Sequence, residues 1–204
     1  MEPQILRKYF IMGSQNCPRD PVEILTEAAQ AGITAFQFRE KGTGALSGLR
    51  KVVLGKQLRE ICYQHSIPFI VNDDIELAEI LGADGIHIGQ EDSNAEEVRS
   101  RFPNKLIGLS VSNTLELEQS PLSVVDYLGA GPVFATGTKN DAKEPVGTQW
   151  IAQVREQHPH LPLVGIGGIT TDSSSNVIQA GADGVAVISA ITHATNIQDA
   201  VENL

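Results

Sequence analysis

The sequence predicts one α/β domain folded as a (β/α)8 barrel. Three observations point to it. Eight short apolar runs alternate with helical patterns along 204 residues, about one strand per 25 residues, which suits strand-plus-helix units and not the tighter spacing of a β-sandwich. Three segments superpose without gaps: "AGITAFQFR" (31–39), "LGADGIHIG" (81–89) and "AGADGVAVI" (180–188). In each, a glycine ends a helix, a short link follows and a strand begins. Finally, the chain lacks the two-half layout with one early glycine-rich turn that an open doubly wound sheet carries. Repeated parallel βα units close naturally into eight strands.

The elements follow in order. The expected strands are "YFIMG" (9–13), "AFQFR" (35–39), "PFIVN" (68–72), "GIHIG" (85–89), "LIGLS" (106–110), "VVDYLGA" (124–130), "PLVGIG" (162–167) and "GVAVIS" (184–189). Helical patterns such as "PVEILTEAAQAG" and "LRKVVLGKQLREICYQHS" lie between them. The weakest helix is in "NTLELEQSPLS", after the fifth strand. One connection is oversized: "GPVFATGTKNDAKEPVG" (131–147) is far longer than the 2–6 residues usual between a strand and a helix.

A formal charge of −10 argues against a general nucleic-acid or membrane-surface binder, whose footprint is basic. No apolar run approaches the ~18–20 residues of a membrane helix, and the first residues lack a signal-peptide layout. Cys17 and Cys62 form no metal or redox motif. A soluble cytoplasmic protein is the expectation.

In a barrel, function sits at the C-terminal ends of the strands. After the second strand, alternation turns Gln37, Arg39 and Lys41 inward and Phe36 and Phe38 outward. Two inward cations need an anionic ligand or an internal partner such as Asp73. After the third strand come Asn72, Asp73 and Asp74; after the fourth, Gln90, Glu91 and Asp92. One carboxylate of each group suffices for a helix cap. Asp73 and Asp92 end neighbouring strands, ~5 Å apart across a sheet, a spacing that suits Mg²⁺ completed by phosphate and water. Ser110, Ser112 and Asn113 follow the fifth strand. Gly167 and Gly168 follow the seventh, and Ile188 and Ser189 close the eighth, where barrels commonly cradle phosphate. His87 reads as a packed mid-strand residue. No Cys–His or Ser–His pair is recognisable for nucleophilic catalysis, and no cluster has zinc spacing.

Taken together, "QFREK", "VNDD", "GADGIHIGQED", "GLS", "GPVFATGTKNDAKEPVG", "GIGGIT" and "GVAVISAI" resemble the thiamine phosphate synthase family along nearly the whole chain. The resemblance implies a (β/α)8 barrel with Mg²⁺ as cofactor and small phosphorylated substrates as partners. The reaction it implies joins 4-amino-5-hydroxymethyl-2-methylpyrimidine diphosphate to 4-methyl-5-(2-phosphoethyl)thiazole, or to its carboxylated form, releasing diphosphate. It implies a pyrimidine diphosphate site of Gln37, Phe38, Arg39, Glu40, Lys41, Asn72, Ser110 and Lys139, of which Arg39, Lys41, Ser110 and Lys139 are catalytic. Asp73 and Asp92 correspond to the metal ligands, and Thr136, Gly137, Thr138, Gly168, Ile188 and Ser189 to the thiazole phosphate site. The long loop would then be a lid touching both substrates. Two positions depart from the family's pattern: Ala135 where proline is common, and Ser112 where histidine is common. Two rival readings share the fold: a thiazole tautomerase, and a non-catalytic barrel that binds a phosphorylated ligand.

Overall fold

The computed structural model describes residues 1–137 and 143–204. Eight parallel strands close into a barrel in chain order: β1 (Lys8–Met12), β2 (Ala35–Phe38), β3 (Phe69–Asn72), β4 (Gly85–Ile88), β5 (Leu106–Val111), β6 (Tyr127–Ala130), β7 (Leu163–Ile166) and β8 (Gly184–Val187). The helices are α1 (Pro21–Gln30), α2 (Gly48–Gln64), α3 (Ile75–Ile80), α4 (Ala95–Arg101), α5 (Thr114–Gln119), α6 (Gly147–Gln157), α7 (Thr171–Gln179), α8 (Ser189–Thr192) and α9 (Ile197–Glu202). The weakly patterned helix does form: Asn113 caps α5 by accepting from the Glu116 N–H at 2.9 Å. The sixth strand starts three residues later than its apolar run, because Leu122–Val124 make a 3-10 turn and Asp126 is used elsewhere.

Two apolar clusters divide the interior. The larger lies between barrel and helices and includes Phe36, Phe38, Phe69 and Trp150. The smaller fills the barrel with Leu6, Tyr9, Ile11, Ala35, Ile70, Tyr127, Val164, Ala186 and Ile188. The inner cluster takes every second strand residue, as the pleat requires.

At the N-terminal end of the barrel, one device recurs at every second strand. Thr34, Asp84, Asp126 and Asp183 each immediately precede an even-numbered strand or its first glycine. Each side chain accepts from the backbone N–H of the first or second residue of an odd-numbered strand, Lys8, Phe69, Ile107 and Leu163, at 2.8 Å in all four cases. The same residue's own N–H donates to that strand residue's carbonyl, at 2.8–2.9 Å. Three of the four clasps are charge-assisted: Arg59, Arg99 and Arg155 bond Asp84, Asp126 and Asp183 at 3.2, 2.6 and 2.7 Å. The clasps satisfy strand-end donors that the ladder leaves over. They also account for the gapless echo in the sequence and extend it to Asp126 in "VVDYLGA".

Candidate active site

The opposite end of the barrel opens into a cavity of about 250 Å³. Gln37, Arg39, Lys41, Asn72, Asp73, Asp92 and Ser110 line one side; Gly167, Gly168, Ile188, Ser189 and Thr136 line the other. Alternation along β2 delivers its share: Phe36 and Phe38 sit in the outer core while Gln37, Arg39 and Lys41 reach the cavity. Arg39 is only 6% exposed.

Asp73 adopts a left-handed backbone, φ 59°, an uncommon conformation that aspartate tolerates better than most residues. Its N–H donates to the His87 carbonyl at 2.9 Å, which ties the turn to β4. Asp92 is held by the Gly89 N–H at 2.8 Å. The two carboxyls hydrogen-bond each other. Lys41 Nζ lies 2.5 Å from Asp73 Oδ2 and 3.6 Å from Asp92 Oδ1. Burial pushes the Asp73 carboxyl up to about 6, and the hydrogen bond with Asp92 adds to that, against the pull of Lys41. Burial also acts on Asp92, but hydrogen bonds from Asp73 and Gly89 and the charge of Lys41 take it below its usual range. Lys41 is desolvated too, yet the hydrogen bond and charge of Asp73 hold its ammonium above the usual range. The arrangement is a socket for positive charge. Asp74, by contrast, caps α3 through the Leu77 N–H and pairs with Lys51 at 2.8 Å.

Across the mouth, Gly167 and Gly168 have φ 98° and 65°. A Cβ on Gly168 would stand 2.5 Å from the Ala135 carbonyl, and one on Gly167 would stand 2.5 Å from Pro132. Only glycine lets the long loop lie on the end of β7. The loop's limbs are tied at their roots: Val133 and Phe134 N–H groups donate to Ile166 and Gly167 carbonyls, and Val146 and Gly147 N–H groups to Pro132 and Val133 carbonyls. Lys143 pairs with Glu116 of α5, whose other oxygen accepts from the Ser112 N–H at 2.8 Å. Thr138 and Lys139, and with them the tip of the expected lid, lie outside the described residues.

Among the described residues, three expected site residues do not line the cavity. Phe38 is in the outer core, since it has the opposite strand parity to Gln37 and Arg39. Glu40 turns away from the mouth and organises the neighbouring loops, accepting from Ser14 N, Ser14 Oγ and Leu46 N. Gly137 is exposed on the loop. A fourth expectation also changes: a Ser–His pair exists. His87 Nε2 lies 2.8 Å from Ser110 Oγ, because β4 and β5 are neighbours although the residues are 23 apart in the chain. His87 is packed as expected, but it also lines the cavity, as do Glu116 and Lys143. The signal for His87 was its strand parity, which matches Gln37. For Glu116 and Lys143 the sequence carries no signal, because nothing local brings α5 to the loop.

Two carboxylates and a cation suit a hard divalent ion that keeps waters and substrate oxygens. Among the described residues there is no group of three or more His, Cys, Asp or Glu side chains that could enclose a metal by themselves.

The family model described as thiamine monophosphate synthase matches residues 8–191. A thiamine-phosphate synthase of Oceanobacillus iheyensis is 61% identical over 203 residues, covering 100% of this chain and 98% of the relative. One of Anoxybacillus flavithermus is 50% identical, covering 100% and 94%. The structure of a thiamine phosphate pyrophosphorylase from Pyrococcus furiosus superposes with a TM-score of 0.87 at 34% identity, covering 99% and 95%. A 3-hexulose-6-phosphate synthase shares the fold alone, with a TM-score of 0.64 at 16% identity. With a family model spanning β1 to α8 and relatives matched from end to end, this chain belongs to the thiamine monophosphate synthase family.

Proposed function

We propose that this chain condenses 4-amino-5-hydroxymethyl-2-methylpyrimidine diphosphate with 4-methyl-5-(2-phosphoethyl)thiazole, or its carboxylated form, giving thiamine phosphate and diphosphate. The observation that carries the reading is the socket at the mouth. Lys41 bridges Asp73 and Asp92 beside Arg39 and Ser110, facing a glycine-rich rim across one cavity.

The chemistry needs two anions bound and one of them made a leaving group. Asp73 and Asp92 would hold Mg²⁺, which neutralises charge on the departing diphosphate. Arg39, Lys41, Asn72, Ser110 and Lys139 donate hydrogen bonds to the same anion as the C–O bond breaks. The electron pair leaves with diphosphate, and the pyrimidine amino group stabilises the methylene cation by resonance. The thiazole nitrogen then supplies the pair for the new C–N bond. Thr136, Thr138, Gly168, Ile188 and Ser189 anchor the thiazole phosphate so that nitrogen and cation meet in line. No protein nucleophile is required. Lys41 has a second role: released by substrate from Asp73 and Asp92, it follows the diphosphate.

The test is direct. The purified protein is incubated with both substrates and Mg²⁺, and diphosphate and thiamine phosphate are measured. Stoichiometric appearance of both is expected. Isomerisation of the carboxylated thiazole in the absence of the pyrimidine, with no coupling when both are present, would move the chain to the tautomerase reading.

A further inference from the structure

Inside the barrel a chain of polar groups runs from Gln37 to Ser110. Gln37 Nε2 donates to Tyr9 Oη at 2.9 Å. Tyr9 Oη is 2.8 Å from Tyr127 Oη, Tyr127 Oη is 3.0 Å from His87 Nδ1, and His87 Nε2 is 2.8 Å from Ser110 Oγ. Tyr9 and Tyr127 are 1% and 0% exposed, so no bulk water competes for their protons. Burial drives both phenols well above their usual range, so each carries its proton. Room for the junction is built in. A Cβ on Gly108 would stand 2.1 Å from Tyr127 Cζ and 2.4 Å from His87 Nδ1.

Counting protons gives the chain one direction. Tyr9 Oη already faces an NH₂ donor, so its own proton goes to Tyr127. Tyr127 then gives its proton to His87 Nδ1. An imidazole that accepts at Nδ1 carries its proton on Nε2, and it donates to Ser110 Oγ. The Ser110 hydroxyl proton is thereby left over for the cavity. In the reverse direction Ser110 would spend its proton on His87 and turn only lone pairs toward an anion.

We infer that this one-way relay makes Ser110 an obligate donor to the leaving diphosphate, with Tyr127, Tyr9 and His87 as positioning residues that act through it. The inference rests on the proposed function for the identity of the anion, but the direction of the relay does not. It also gives the Ser–His pair a sense opposite to that of a hydrolase: the histidine donates and the serine is no nucleophile.

Two measurements test it. In protein labelled with ¹⁵N-histidine, with the His87 signal assigned by its loss in His87→Gln, the expected form is the Nε2–H tautomer. An Nδ1–H tautomer, which a turned Gln37 amide would impose, overturns the relay. This readout stands whether or not the protein makes thiamine phosphate. The second is a double-mutant cycle on kcat for diphosphate release. Tyr127→Phe keeps the ring and removes only the hydroxyl. It is expected to lower kcat about tenfold with little change in KM, and to have almost no effect in the Ser110→Ala background. An equal loss in both backgrounds would reduce Tyr127 to packing and overturn the inference.

Discussion

The two ends of this barrel solve different problems with similar residues. At the N-terminal end, four clasps repeat with one geometry. An Asp or Thr ahead of an even strand pairs with the start of an odd one, and three arginines reinforce the aspartates. At the C-terminal end Asx caps recur on the helices, but the described polar groups of the cavity share no such repeat. Asp73 and Asp92 share a hydrogen bond and one lysine, the glycine-rich rim takes left-handed backbone, and Ser110 is reached through the barrel interior. The aspartates of the clasps each accept from one backbone N–H and one arginine. Those of the mouth face each other and share Lys41, with the Gly89 N–H added on Asp92 alone. Repetition marks the end where strand starts are tied together; the other end carries the cavity, where the proposed function places the ligand.

Substitutions can break this comparison, and the largest effect should come from the mouth. Lys139→Ala should lower turnover about 10²–10³-fold without moving the thermal midpoint; near-normal diphosphate release would remove Lys139 from the mechanism. Asp92→Asn should follow, with turnover down about 100-fold and the Mg²⁺ concentration for half-maximal rate shifted upward. An unchanged Mg²⁺ titration would place the ion elsewhere.

The converse holds at the other end. Asp126→Ala deprives the Ile107 N–H of its acceptor and Arg99 of its carboxylate, leaving Arg99 only backbone carbonyls, and should cost about 2–3 kcal/mol of stability in urea unfolding. Rate per folded molecule should not change; a proportionate fall in kcat would mean that the two ends are not separable.

The smallest effect sharpens the contrast by sign. Asp73 has its folded carboxyl raised to about 6, above the ordinary 3.8. Its ionisation therefore opposes folding, and stability is lost as pH rises from about 4 through 6 in protein without Mg²⁺. Asp73→Asn should match the parent near pH 4 and exceed it by about 1 kcal/mol at pH 7.5, and added Mg²⁺ should reverse the order. A parent whose stability without Mg²⁺ rises relative to Asp73→Asn over that range would overturn this reading of Asp73.

Much of this was legible in the chain. Strand order, the parity that sends Gln37, Arg39 and Lys41 inward, and the two carboxylates ending β3 and β4 follow from a period of two and from the position of each residue at a strand end. The family resemblance added expected roles to those positions, and to Phe38 and Glu40 between them. Phe38 and Glu40 lie between cavity-lining residues in the chain and point elsewhere in space. The internal echo was visible as a pattern, while its meaning was not, because a clasp joins the start of one strand to the link before the next.

Local order along the chain was enough to determine that this protein makes βα units, which face of each strand is polar, and which polar groups collect at the barrel mouth. Closure of the barrel decided what touches what. It brought Tyr127 to Tyr9 across 118 residues, set His87 against Ser110 across adjacent strands, and tied Lys143 of the loop to Glu116. Periodicity names the face on which a side chain stands; only the register and curvature of a closed sheet name its neighbour there.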